Sequence, residues 1–230
     1  MNKLLLLTAL VLVLSASAWA APCQPGPYSS YFVSGFSCTI DNLTFSNFSF
    51  SASANPSGIA IPASAINVTP FSGPFFEGFT FSSGWNVGTQ SGGVSSFQDN
   101  LLDYTVTSPT ASITDAHLSF NGSFTGTGLT GVTENFCLNS ATVNNCPAGS
   151  AGQLHVTNPP PKFDDNVVFF PPVNMISVTK DITVSSGVNG TASISSVVNI
   201  FTQQTPEPGT FLLLGSALLG VGLLRKRALK

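Results

Sequence analysis

Positive charge is almost missing from the body of this 230-residue chain. Lys3 lies near the start, and Arg225, Lys226, Arg227 and Lys230 crowd the end. Only Lys162 and Lys180 stand between them, against nine acidic residues from Asp41 to Asp181. A surface this poor in cations cannot neutralise a row of phosphates, which excludes nucleic acid as a partner. Histidine is scarce too. His117 and His155 stand alone on separate strand-like segments, and no C-x-x-C pair supports a metal site beside them. A G-x-S-x-G elbow is also missing, so a Ser-His-Asp assembly around His117 and Asp115 has no activated nucleophile. No segment between Ala21 and Thr205 sustains an apolar period of 3.6, which excludes a helical body.

What is present begins at the two ends. Met1-Asn2-Lys3, the apolar run Leu4 to Leu14 and Ala18-Trp19-Ala20 have the order of a secretory signal peptide with an A-x-A cleavage site. The sequence predicts a signal peptide over 1–20 and a mature start at Ala21, with Ala16-Ser17-Ala18 as a second site. At the far end, Thr205-Pro206-Glu207-Pro208-Gly209-Thr210 precedes an apolar run, Phe211 to Leu224, closed by Arg225-Lys226-Arg227. The prolines favour an extended segment, the run favours a helix in lipid, and the basic cluster favours the cytoplasmic side. The run falls short of the roughly 20 apolar residues that span hydrocarbon, which suits a sorting signal better than a permanent anchor. These two segments also supply part of the mean hydropathy of +0.32.

The motif Pro206-Glu207-Pro208, the apolar helix and the basic end resemble the PEP-CTERM sorting domain of exopolysaccharide-producing Gram-negative bacteria. Thr205 stands where that family usually has a small hydrophobic residue. The resemblance implies export, a halt in the membrane through Phe211–Leu224, and cleavage near Pro206–Pro208 by the membrane protease exosortase. It covers residues 205–230 and is silent on the chemistry of the body. The opening Cys38 to Phe50, with Val178-Thr179-Lys180-Asp181-Ile182 and the alternating run 195–203, looks like a recurrent body of exported PEP-CTERM proteins. That second resemblance implies a β domain and no chemistry.

Four cysteines in an exported chain predict two disulfides. Three pairings exist, and the two local ones, Cys23 with Cys38 and Cys137 with Cys146, enclose the shortest loops. Between and beyond them the pattern is β. Leu43, Phe45, Phe48 and Phe50 alternate with Ser, Thr and Asn, with a one-residue slip at Asn47 that predicts a bulge. Phe75, Phe79 and Phe81 share a face that would also carry Glu77, so an edge position or a bulge is expected there. Gly84 to Gln90 reads as a turn carrying Trp85, and Val167 to Phe170 as a buried strand. Asn174–Val184 and Ala192–Phe201 are long β segments. Short strands with Gly, Pro and Asn punctuation predict a single all-β domain over 21–204, a β-sandwich or jelly-roll-like fold. A signal peptide precedes it and a single hydrophobic helix follows.

Several stretches imitate functional motifs. Gly126-Thr127-Gly128-Leu129-Thr130-Gly131 spells G-x-G-x-x-G, but a β-type sequence follows it, so a flexible hairpin connection is expected. Asp164-Asp165-Asn166 could offer oxygens to Ca²⁺, yet lacks the loop pattern of a calcium site. Asp99 and Asp103 meet the minimum count for glycosidase chemistry. Trp85, Tyr28, Tyr31 and Tyr104 could form a sugar-stacking platform. Sequons at Asn42, Asn47, Asn67, Asn121 and Asn189 are about as frequent as this composition gives by chance. The expectation is a non-enzymatic exported protein of the cell surface or extracellular matrix, without cofactor or metal. It would be structural or adhesive with exopolysaccharide; the competitors are a carbohydrate-binding module and, behind it, a secreted hydrolase.

Overall fold

The computed structural model describes residues 20–55, 57–109, 113–143 and 146–204. Ala18, Pro206, Glu207, Pro208, the run Phe211–Leu224 and Arg225, Lys226 and Arg227 lie outside the described residues. Among those described, no helix is long and apolar enough to cross a membrane.

Among the described residues fourteen strands carry the body: Ala21–Pro22 (β1), Gly26–Pro27 (β2), Ser37–Ile40 (β3), Leu43–Ala54 (β4), Asn67–Gly73 (β5), Phe76–Gly88 (β6) and Phe97–Thr107 (β7). The second half adds Ile113–Phe120 (β8), Ser123–Gly126 (β9), Leu129–Leu138 (β10), Ala151–Asn158 (β11), Asp164–Val173 (β12), Met175–Ser185 (β13) and Gly190–Gln203 (β14). They form two seven-stranded sheets. Sheet A runs β1-β3-β4-β7-β13-β10-β11; sheet B runs β12-β8-β14-β6-β5-β2, with β9 beside β14. The sheets stack as a sandwich because each long strand alternates apolar and polar residues, and burying one face of each sheet requires the other.

Aromatic rings fill the space between the layers. Phe45 of sheet A meets Phe79 of sheet B at 4.5 Å between ring centres, and Tyr104 meets Phe81 at 6.1 Å. The segment Tyr28–Tyr31, one turn of 3₁₀ helix, closes one side of the core. Tyr28 is fully buried and donates its hydroxyl to the carbonyl of Asp103 at 2.7 Å. Both disulfides are the local pairs. Cys23–Cys38 pins the N-terminal lead-in to β3, and Cys137–Cys146 closes a loop after β10.

A charged pair sits inside this apolar filling. Lys180 on β13 faces Glu134 on β10 in direct register, and their side chains form a fully buried ion pair. Asn199 of sheet B donates its amide to the second Glu134 oxygen at 3.2 Å, and Tyr104 donates its hydroxyl to Asn199. Burial pulls the Lys180 ammonium below its usual pKa, and the Glu134 carboxylate opposes that pull.

The structure departs from the sequence expectations at four places. Glu77 is neither at an edge nor at a bulge: β6 is flanked by β14 and β5, and Glu77 is buried in the inward row with Phe79 and Phe81. It is tolerated because Gln203 of β14 donates to its Oε1 at 2.8 Å. Trp85 lies within β6 rather than in a turn. The G-x-G-x-x-G stretch is not a flexible hairpin, because β9 pairs with β14 of sheet B while β10 belongs to sheet A. It is a close-packed crossing: a Cβ on Gly126 would lie 1.8 Å from the carbonyl oxygen of Asn189. In β12, Phe169 is buried but Val168 and Phe170 face out. The bulge at Asn47 is present, with Ser46 opposite Thr105 and Ser49 opposite Asp103.

Lys180→Met leaves Glu134 buried without its counter-charge and is expected to destabilise the body by about 3–5 kcal/mol. Replacing both partners, Lys180→Met with Glu134→Leu, is expected to come close to the parent stability. Urea unfolding of the two variants checks this ordering.

Candidate functional site

The outer face of sheet A carries a concentration of polar chemistry with a concave shape. Its floor is the outward row of β4, β7 and β13. The bulge sets Asn47 at a positive φ of 55°, a conformation asparagine adopts more readily than most residues. From there its amide donates to the Thr105 hydroxyl at 3.2 Å. Thr105 in turn donates to the carbonyl of Ala141 at 3.1 Å, tying the Cys137–Cys146 loop over the sheet as a wall. The loop is anchored at its start as well, where the Asn139 N–H donates to the Met175 carbonyl at 2.8 Å.

Between floor and wall lies an open groove of about 500 Å³. Asp103 is its charged group. Ser49 donates to one carboxylate oxygen at 2.7 Å, and Thr179 donates to the other. Both donors belong to strands flanking β7, so the carboxylate is fixed in orientation. Ser177, also lining the groove, is buried at 3% exposure, and its hydroxyl has no hydrogen-bond partner among the described residues. An unpartnered buried hydroxyl is costly unless something completes it. The arrangement can bind a neutral, hydroxyl-rich ligand through hydrogen bonds, and it falls within the usual volume range of ligand sites.

The other sequence candidates do not assemble. Asp99 and Asp103 share a face of β7 four residues apart, which puts them roughly 13 Å from each other along the strand. That exceeds both carboxylate separations used by glycosidases. The neighbour of Asp99 is instead Asp181, diagonal to it across the β7–β13 ladder. Burial first, and then the Asp181 carboxyl beside it, push the Asp99 carboxyl up to about 6. Asp99 Oδ1 is buried and lacks a donor unless one carboxyl of the pair holds a proton. His117 has its Nδ1 buried without a partner, so no acid orients its ring through that atom. His155 lies exposed on β11, with Nδ1 3.0 Å from the Thr133 hydroxyl.

Asp164, Asp165 and Asn166 begin β12 rather than forming a loop, and Asp165 is paired with Lys162 at 2.8 Å. Among the described residues no group of three metal-ligating side chains converges. The proposed aromatic platform is also overturned. Trp85, Tyr28 and Tyr104 are at most 1% exposed and Tyr31 is 2% exposed. They face inward because the indole N–H finds Asn100 at 2.8 Å and the tyrosine hydroxyls find backbone or amide acceptors inside the body. A sugar cannot stack on rings the core already covers. The groove went unseen in the sequence because it joins a bulge, an Asp and a disulfide loop far apart in the chain.

Two stacked sheets, antiparallel except for the short β1–β3 pairing, with two disulfides define a β-sandwich protein of the exported kind. Residues 204–227 match the PEP-CTERM protein-sorting motif. The chain therefore carries a PEP-CTERM sorting signal, which exosortase recognises, and is exported and sorted to the cell surface or extracellular space. No curated protein matches the chain. Among solved structures, it is similar to the module TmCBM61 in complex with β-1,4-galactotriose, at 12% identity and TM-score 0.29, covering 65% of this chain and 86% of that one. It is similar also to endoglucanase 3 of Trichoderma harzianum, family GH12, at 12% identity and TM-score 0.25, covering 67% and 98%. A family 11 carbohydrate-binding module from Clostridium thermocellum gives 9% identity and TM-score 0.23, covering 70% and 89%. Likenesses this low carry no argument about ligand or activity.

The carboxyl pair makes a signed prediction. Between the ordinary carboxyl value of 3.8 and the folded value of about 6, the folded chain keeps a proton on Asp99 that the unfolded chain gives up. Raising pH through that window therefore lowers stability, and the loss is complete above it. Thermal midpoints measured from about pH 4 to pH 7 should fall in the parent and fall less steeply in Asp99→Asn, where the Glu77 carboxyl, also raised by burial, still contributes.

Proposed function

We propose that the body is a non-enzymatic structural or adhesive component that contacts exopolysaccharide through the outer face of sheet A. The observation that carries this reading is the groove over β4, β7 and β13. Its lining sets hydroxyl, amide and carboxylate groups beside the apolar Leu101, Ala141 and Val143, and its carboxylate is already oriented by Ser49 and Thr179. Both lysines of the body are engaged, Lys162 with Asp165 and Lys180 with Glu134. The surface thus offers neutral hydrogen-bonding groups and a few acids, which suits a hydroxyl-rich polymer better than a phosphorylated one.

A carbohydrate-binding module is the second reading. The same groove favours it, now without an aromatic platform. The two readings differ in degree: a matrix component needs weak contacts repeated along a polymer, whereas a module needs a tight single site.

The test is binding to polysaccharide purified from the producing cells, followed by calorimetry and by release of reducing ends. The parent protein is expected to bind and to release none. Ala141→Trp, which fills the groove from its wall, should weaken binding about tenfold or more, a loss of about 1.4 kcal/mol, with little change in thermal midpoint. Undiminished binding by Ala141→Trp would remove the groove from the account. Reducing ends released by the parent would replace the non-enzymatic reading with a hydrolase.

A further inference from the structure

The point at which the chain leaves the sandwich is ringed by exposed phenylalanine. The last strand, β14, ends at Gln203, whose N–H donates to the Phe75 carbonyl at 3.2 Å. Thr202 stands opposite Phe76 in the same ladder. On the other side Gln203 pairs with Ile113, and Ile113 with Val173 of β12. Just before Val173 the strand departs from its register, and there Phe170 is 97% exposed. Phe75 is 60% exposed and Phe76 37% exposed. From β6 to β12 this rim crosses three strand spacings, roughly 14 Å.

Such rings in water need a reason, since aromatics of this size contribute most when covered. The chain itself supplies the geometry. Only Thr205–Thr210 separate Gln204 from Phe211, and six residues span at most about 20 Å when extended. While the tail is attached and Phe211–Leu224 is in the bilayer, the end of β14 is held close to the lipid surface. The rim lies at that end. The acidic groups there are Asp115, opposite Thr202, and Asp41, close enough to Glu77 to act on its charge. Neither body lysine is at this end: Lys162 adjoins the far end of β12, and Lys180 is buried mid-strand. Contact would therefore be apolar rather than electrostatic.

We propose that Phe75, Phe76 and Phe170 form a membrane-resting rim that seats the body on the lipid interface before the tail is cut. This rests on reading Phe211–Leu224 as a membrane segment. The rim would hold the end of β14 beside the bilayer, within reach of a membrane protease. Aromatic side chains at the headgroup level are a general device for such seating. After cleavage only the rim would remain as a lipid contact, too small to hold the body permanently.

The test uses the full chain in nanodiscs of phosphatidylethanolamine and phosphatidylglycerol, spin-labelled in turn at Phe75→Cys, Val188→Cys and Leu213→Cys. Val188 lies in the turn at the opposite end of β14. The label at 75 is expected to show an oxygen-to-nickel accessibility ratio about threefold or more above that at 188, approaching the ratio at 213. A lipid-like ratio at 213 with an aqueous one at 75 overturns the rim alone. An aqueous ratio at 213 overturns the membrane reading, and the rim falls with it. A label at 75 shielded from both reagents only when exosortase is added assigns the rim to the protease and overturns the lipid contact.

Discussion

The buried pair Lys180–Glu134 constrains the rest of the sandwich. Two charges taken out of water are tolerated only where their partners are complete. Completion here draws on both layers: Lys180 and Glu134 come from adjacent strands of sheet A, and Asn199 comes from sheet B. A slip of one residue in β13 would turn Lys180 outward and leave Glu134 alone in the core. The pair therefore penalises wrong registers more than it rewards the right one. The aromatic filling, which is less particular about register, can then pack around a fixed frame.

That frame explains how the outer faces come to be so polar. With the inward rows taken by Phe, Tyr, Val and Ile, alternation sends Ser, Thr, Asn and Asp to the outside of sheet A. The bulge at Asn47 and the loop closed by Cys137–Cys146 then give this flat face its groove. Sheet B ends differently, with its phenylalanine rim beside the exit of the chain. One molecule thus presents a hydrogen-bonding face and an apolar end.

Much of this was legible in the sequence where the signal was local. The strand alternation, the slip at Asn47 and the local disulfides are short-range features, and the sorting motif is contiguous. Trp85 was misread because Gly84 beside it resembles punctuation, while the partner that draws it inward, Asn100, is set by the fold. Glu77 was misread for the same reason, since Gln203 is 126 residues away. Lys180 did leave a trace: it occupies the parity of Val178 and Ile182, as Glu134 occupies that of Val132 and Phe136. Two opposite charges on two inward rows were readable as a pair. The groove left no such trace, because its parts share neither a strand nor a period.

The central claim is that this sandwich is cargo, cut from its tail on reaching the surface. Intact mass of the protein recovered from the cell surface, with its C-terminal peptide sequenced, tests this most directly. The account predicts a chain that begins at Ala21 and ends near Pro206–Pro208, free or carrying an added group. A surface chain that still ends in Arg225–Lys230 would contradict it and make the tail a plain anchor.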